Sequence, residues 1–204
     1  MGKIFIKLVI LYFTIIPAYS AIKGSIDYKI PIDYTKLNQT ELEACANDFY
    51  TTAIISKNLD ENMTSALILY TILTNKSPSN ISYALKLGKL YDVIGKDRYA
   101  KGNYYHAMGL EPKNPEPYKY LGDYFYDREQ YKKALKFYNT AYDKGFSNNY
   151  ETLYKMGDIY QKFGDTQNSL KFLEAANEIN FNEELTKKIN TIKNNNSFNK
   201  EYYK

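Results

Sequence analysis

Between residues 115 and 149 the apolar positions twice fall into a helical rhythm. Tyr118, Leu121, Gly122 and Phe125 follow an i, i+3, i+4, i+7 face, and the polar stretch "DREQ" then breaks it. Tyr131, Ala134, Leu135, Tyr138 and Ala141 form a second such face. This pattern predicts two helices joined by a tight turn. The same pair recurs along the chain. Glycines fall at Gly88, Gly122 and Gly157, small residues at Ala66, Ala100, Ala134 and Ser169, and larger ones at Tyr70, Tyr104, Tyr138 and Leu173. A fourth column runs Leu73, Ala107, Ala141 and Ala176. All columns step by 34 and then by 35 residues, and the single slip lies near "KGFSNNY". Independent columns sharing one period and one slip mark an internal repeat, with the slip expected in a loop.

Each column has a physical role. Gly122 and Ala134 carry almost no side chain, which lets two helices approach to ~8–10 Å. Phe125 and Tyr138 fill the space beside that approach. Pro112 cannot continue the helix before it. The recurrence also decides between an aromatic platform and a core: Tyr91, Phe125 and Tyr160, with Tyr104 and Tyr138, are expected in packing positions.

The repeat resembles the tetratricopeptide repeat. The third unit reads "YKYLGDYF" and "ALKFYNTA", the second "ALKLGKLY" and "AKGNYYHA", and the fourth "LYKMGDIY" and "SLKFLEAA". The fourth has Ser169 in place of alanine and Phe181 where proline is usual; the first has Ile54 in place of glycine. The resemblance implies an all-α fold, a right-handed superhelical array of about four helix-turn-helix units at about 47–80, 81–114, 115–149 and 150–183. It spans residues 40–194. At its start, "TELEA" reads as a capping box with Thr40 and Glu43 in reciprocal positions, opening a helix that runs to about Asn58. At its end, Asn182 is placed to cap a final helix over 183–194, with Leu185, Ile189 and Ile192 as its apolar stripe. Residues 195–204 show no periodicity and read as a disordered tail.

Ahead of the array, residues 21–39 form a leader. Ile26, Tyr28, Ile30, Ile32 and Tyr34 alternate with polar or proline positions, a strand rhythm in an otherwise helical chain. The leader is expected either to be mobile or to lie extended on the helices. Residues 1–20 read as a secretory signal. Lys3 and Lys7 precede an apolar run from Leu8 to Ile16, Pro17 ends it, and Ala18 and Ser20 suit cleavage before Ala21. Nine apolar residues are short for a membrane span, so membrane contact is expected only in transit, an uncleaved anchor being the alternative. The destination is then a bacterial periplasm or envelope, or secretion, through the endoplasmic reticulum in a eukaryotic host.

Composition narrows the chemistry. The formal charge is +4, or +2 without Lys3 and Lys7, which disfavours nucleic acid as a partner. Six prolines and no Gly/Ser-rich run leave no evident interdomain linker. Cys45 is the lone cysteine, so no internal disulfide forms; it reads as a small buried residue. His106 is the lone histidine and lacks an orienting partner. No Cys/His spacing suits a metal, and "GKLYDVIGK" is a repeat column rather than a phosphate loop. The inventory predicts no catalytic residue, cofactor or metal.

Proteins of the resembling family hold extended peptides or helices in a concave groove lined by first helices. Carried onto this chain, the lining is Thr51, Ile55 and Asn58; Leu85, Lys89 and Asp92; Lys119, Asp123 and Tyr126; Tyr154, Asp158 and Gln161; and Lys162 at the rim. Lysines mixed with aspartates and two tyrosines suit a polar peptide with one or two anchor side chains. The expected role is an exported, non-enzymatic adaptor or assembly factor for a protein or peptide partner. A self-assembling, homo-oligomeric envelope component is the structural alternative, and an RNA-binding helical repeat a more distant one.

Overall fold

The structure is a computed structural model. It describes Tyr34 and residues 36–202, with side chains described as far as Asn195. Residues 1–20, read above as a secretory signal, and the alternating segment before Tyr34 lie outside the described residues. Those residues form nine α-helices, one short 3-10 turn and no strand. The chain divides into two compact units, one ending at Leu110 and the other beginning at Glu111. The sequence had offered no linker, yet Pro112, Pro115 and Pro117, half of the chain's prolines, cluster at that division. Pro112 cannot continue the helix before it, and Pro115 and Pro117 stand at the cap and first turn of the next helix, where a missing N–H is tolerated, so the chain turns there.

The first unit holds α1 (Gln39–Ser56), α2 (Glu61–Lys76), α3 (Ile81–Val93) and α4 (Asp97–Leu110). Its core gathers Leu42, Cys45, Phe49 and Ala53 of α1 with Met63, Ala66, Leu69, Tyr70 and Leu73 of α2 and Leu87 and Leu90 of α3. Tyr34, 4% exposed, belongs to the same cluster, so the last residue of the alternating segment is part of the core. Cys45 is buried there as a small apolar residue. The start of α1 differs from expectation. Its cap is Asn38, whose Oδ1 accepts from the Glu41 N–H at 3.0 Å while Glu41 Oε2 accepts from the Asn38 N–H at 3.2 Å. Asn38 and Glu41 have the same box spacing as Thr40 and Glu43, and asparagine caps at least as well as threonine. Glu43 is thereby released to accept from the Tyr83 hydroxyl of α3.

The second unit holds α5 (Glu116–Tyr126), α6 (Tyr131–Asp143), the 3-10 turn (Phe146–Asn148), α7 (Tyr150–Lys162), α8 (Thr166–Ile179) and α9 (Glu183–Tyr202). The 3-10 turn, entered through Gly145 at φ 129°, takes up the extra residue of the longer repeat step. Asn182 caps α9 as expected, its Oδ1 accepting from Glu184 N–H at 2.8 Å and Leu185 N–H at 3.2 Å. That helix continues to Tyr202, past the end placed at 194. No glycine or proline follows Asn182, so nothing in the backbone stops it.

The glycine column has its reason in the helix pairs. A Cβ built on Gly88 would meet Tyr104 Cε1 at 2.6 Å, one on Gly122 would meet Tyr138 Cδ1 at 2.5 Å, and one on Gly157 would meet Leu173 Cγ at 2.7 Å. The large residue of each second helix thus lies directly on the bare backbone of its first helix. Beside it Phe125 stacks on Phe137 at 5.4 Å, and one repeat later Tyr160 stacks on Phe172 at 5.5 Å. Tyr104 and Tyr138 are fully buried. Tyr104, Phe125, Tyr138 and Phe172 are core, with Phe137 and Tyr160 packed half-buried against them.

The turns between paired helices repeat as well. Lys96, Gln130 and Asp165 N–H groups donate to the carbonyls of Tyr91, Phe125 and Tyr160 at 2.8–2.9 Å. This closure needs a left-handed residue, supplied by Gly95 (φ 70°) and Gly164 (φ 76°) but by Glu129 (φ 56°) in the third repeat. A side chain there costs on the order of 1 kcal/mol relative to glycine. Glu129→Gly is therefore expected to raise the stability of the second unit by about 1 kcal/mol in urea unfolding, whereas Lys132→Gly inside α6 should lower it by a similar amount. Equal effects would contradict the shared turn geometry.

Candidate functional site

The side chains assigned to a groove fall into three columns along the first helices, and the structure treats them unequally. In the first unit, Thr51, Ile55 and Asn58 are exposed at α1 and its end, Ile55 by 76%. Leu85 is 1% exposed and so belongs to packing rather than to a lining; a leucine gains ~1.5–3 kcal/mol from such burial. Lys89 pairs with Asp92 at 3.5 Å, and Asp92 is itself buried.

In the second unit the assigned residues come together on one face of α5 and α7, but as partners of one another. Asp123 is 8% exposed. Its Oδ2 accepts from Lys119 Nζ at 2.8 Å, and its Oδ1 from Lys155 Nζ at 2.6 Å and from the Tyr138 hydroxyl at 2.7 Å. Glu151 closes the ring, with Oε2 2.6 Å from Lys119 and Oε1 3.0 Å from Lys155. Lys119 and Asp123, expected on an open lining, thus form a closed box between α5 and α7. The cause is the repeat itself: neighbouring first helices place residues 32 positions apart opposite one another.

One turn further along, the Tyr126 hydroxyl donates to Asp158 Oδ2 at 2.7 Å, and Lys188 of α9 donates to Asp158 Oδ1 at 3.2 Å. Lys162 lies 3.6 Å from the same carboxylate. The tyrosine rings stand among ammonium groups. Lys155 Nζ is 5.5 Å from the Tyr126 centroid and Lys188 Nζ 5.3 Å from that of Tyr154, which also stacks on Tyr150. Tyr126 and Tyr154 remain half-exposed, and Gln161 and Lys162 exposed.

Burial alone would push the Asp123 carboxyl up. The ammonium groups of Lys119 and Lys155 and their hydrogen bonds outweigh it and hold the group below the usual carboxylate range. Asp158 follows the same balance, burial opposed by the Tyr126 hydrogen bond and by Lys188. Burial would likewise depress Lys119 and Lys155, but Asp123 beside them raises both. Burial and the Asp123 carboxylate push the Tyr138 hydroxyl far up, so it stays a donor. Among the described residues no group of three or more His, Cys, Asp and Glu is placed to hold a metal ion. His106 is exposed on α4.

No protein-family profile matches the chain. Over 103 residues, 50% of this chain, it is 36% identical to the TPR repeat-containing protein MJ1428 of Methanocaldococcus jannaschii, and it spans 18% of that protein's length. A tetratricopeptide repeat protein of Parabacteroides merdae matches 75% of this chain and 57% of its own, at 20% identity and a TM-score of 0.59. YrrB, described as a TPR protein with an unusual peptide-binding site, matches 73% of this chain and 75% of its own, at 19% identity and a TM-score of 0.53. The fold is the tetratricopeptide-repeat fold.

Within that fold the reading of columns named Lys119, Asp123, Tyr126, Tyr154, Asp158 and Lys162, which lie together on this face, but did not name their contacts Glu151, Lys155, Lys188 and the Tyr138 hydroxyl. Glu151 and Lys155 stand at i, i+4 spacing, which the sequence displays. Their partners on α5 do not share that helix, and only the pairing of first helices reveals them.

The pH dependence follows from the signs. The folded-state values of Asp123, Glu151 and Asp158 are depressed, so their contribution is full above the unfolded carboxylate value, about 4, and is lost as pH falls through the lower folded values. Those of Lys119 and Lys155 are raised, so theirs is full below about 10.4 and is lost as pH rises through the folded values. Stability is expected to be flat between these limits. Asp123→Asn should cost about 3 kcal/mol at pH 7, because two half-buried ammonium groups lose their buried carboxylate and keep only the exposed Glu151. Chemical denaturation at pH 7 and pH 2 checks this: the gap between the two proteins should narrow in acid, and an equal gap at both pH values would contradict the network.

Proposed function

We propose that this chain is an exported, non-enzymatic member of the tetratricopeptide-repeat proteins that holds an extended, polar segment of a partner protein across the first helices of its second unit. The observation that carries the reading is the state of the α5–α7 face. Its lysines and carboxylates already neutralise one another, while the rings of Tyr126 and Tyr154 stay half-exposed and fixed by polar contacts. A segment crossing that face meets rigid, amphipathic contact area and hydrogen-bonding edges rather than a net field. Such a surface suits anchor side chains on a polar peptide. The peptide-binding site described for the similarly folded YrrB gives the reading a precedent. Export is supported by the lysine-flanked apolar run at residues 3–16 and the small residues before Ala21. Among the described residues no helix is long and apolar enough to cross a membrane.

Lys119→Ala would open the buried network and confound binding with folding. Tyr154→Ala with Gln161→Ala alters the face outside it. A tagged full-length chain expressed in its host is expected to be recovered beginning at Ala21, with one or more proteins bound. The double variant should retain about a tenth of the bound protein at an unchanged melting temperature. Equal capture by both forms contradicts the site; recovery from Met1 contradicts cleavage before Ala21, and recovery from Met1 in the cytosolic fraction contradicts export.

A further inference from the structure

The second unit carries an open depression at its helix turns, beside the α5–α7 face. It measures about 300 Å³ and is lined by Glu129, Gln130, Tyr131, Lys132, Lys133 and Phe163. The size is at the low end for ligand sites, room for one or two side chains rather than a cofactor. Phe163, 46% exposed, forms one apolar wall from the end of α7. Tyr131 forms another from the start of α6. Phe163 is thus left half in water at the edge of a concave surface. Tyr160, three residues earlier, is stacked on Phe172.

The rim is basic. Lys132 is exposed, and Lys133 donates to Gln130 Oε1 at 2.9 Å. Lys162 stands beside the depression with its ammonium group 5.2 Å from the Tyr131 centroid and pairs only distantly with Asp158, at 3.6 Å. Glu129 is the opposing charge on the wall. The lining holds two lysines against one glutamate, and Lys162 beside it is matched by Asp158, which leaves a local excess of one positive charge around an apolar floor.

We propose that this depression is a docking site for a short acidic segment of a partner protein, one aromatic or aliphatic residue seated against Phe163 and Tyr131 with Asp or Glu on either side of it. The apolar wall sets the anchor and the lysines set the sign of its flanks. The site adjoins the first-helix face, since Tyr131 packs edge-on against Tyr126 at 5.8 Å and Lys162 stands between the two, but neither Tyr154 nor Gln161 lines it, so variants at those two positions distinguish the sites.

The test uses the full chain and two fluorescein-labelled peptides, each with one Phe, flanked by Asp and Glu in one and by Lys in the other. Fluorescence anisotropy should show the acidic peptide binding and the lysine peptide at least tenfold weaker, with the acidic affinity falling as salt rises. Lys132→Glu should weaken the acidic peptide by about three- to tenfold, and Phe163→Ala by about fivefold or more. Glu129→Gln should tighten it. Each of these positions is exposed or on a turn, and unchanged melting curves will show that the fold is kept. Equal binding of the two peptides, no binding up to about 1 mM, or an acidic-peptide affinity indifferent to both Lys132→Glu and Glu129→Gln overturns the proposal.

Discussion

The ring of Tyr138 lies on the bare backbone of Gly122, and most of the second unit is arranged around that contact. With no Cβ on Gly122, α6 comes close enough for the ring to be fully buried, and its hydroxyl then reaches Asp123, the next residue of α5, at 2.7 Å. Asp123, so fixed, holds Lys119 on its own helix and Lys155 on α7. A packing contact between two helices of one repeat therefore sets the electrostatics between that repeat and the next.

The residue after the column glycine shows how one fold is given different surfaces. It is Lys89 in the second repeat, Asp123 in the third and Asp158 in the fourth. In the fourth repeat Leu173 replaces the tyrosine, so Asp158 receives no hydroxyl from its own second helix. It takes the Tyr126 hydroxyl from the preceding first helix and Lys188 from α9 instead. Such buried or half-buried charges gain little net stability over apolar packing, but they make a misplaced neighbour costly, because each one left alone is expensive. On this account the network fixes the register of first helices, and the tyrosines it leaves half-exposed form the surface proposed above for a partner.

Much of this was legible in the sequence because a repeat multiplies every weak signal. One glycine says little; Gly88, Gly122 and Gly157, each facing a large residue sixteen positions later, predict helix pairs and their close approach. What was not legible depends on contacts between elements. Leu85 shares a column with Lys119 and Tyr154, and only the packing around it shows that it is buried. Lys119 and Asp123 read as solvated because both are charged, and their partners Glu151 and Lys155 lie about 30 residues away. The cap at Asn38 was displaced by two residues because two boxes of equal spacing overlap there, and local sequence does not rank them.

The contact between Gly122 and Tyr138 can be measured directly by a double-mutant cycle. Gly122→Ala should destabilise the native chain in urea unfolding, since the added methyl meets the ring. In a Tyr138→Ala background the same change should stabilise by up to about 1 kcal/mol, because alanine is the better helix former once the ring is gone. The account predicts a coupling of at least about 1 kcal/mol with that change of sign. Effects that add to within about 0.5 kcal/mol would mean that the glycine is not there for the ring, and would contradict the account at its centre.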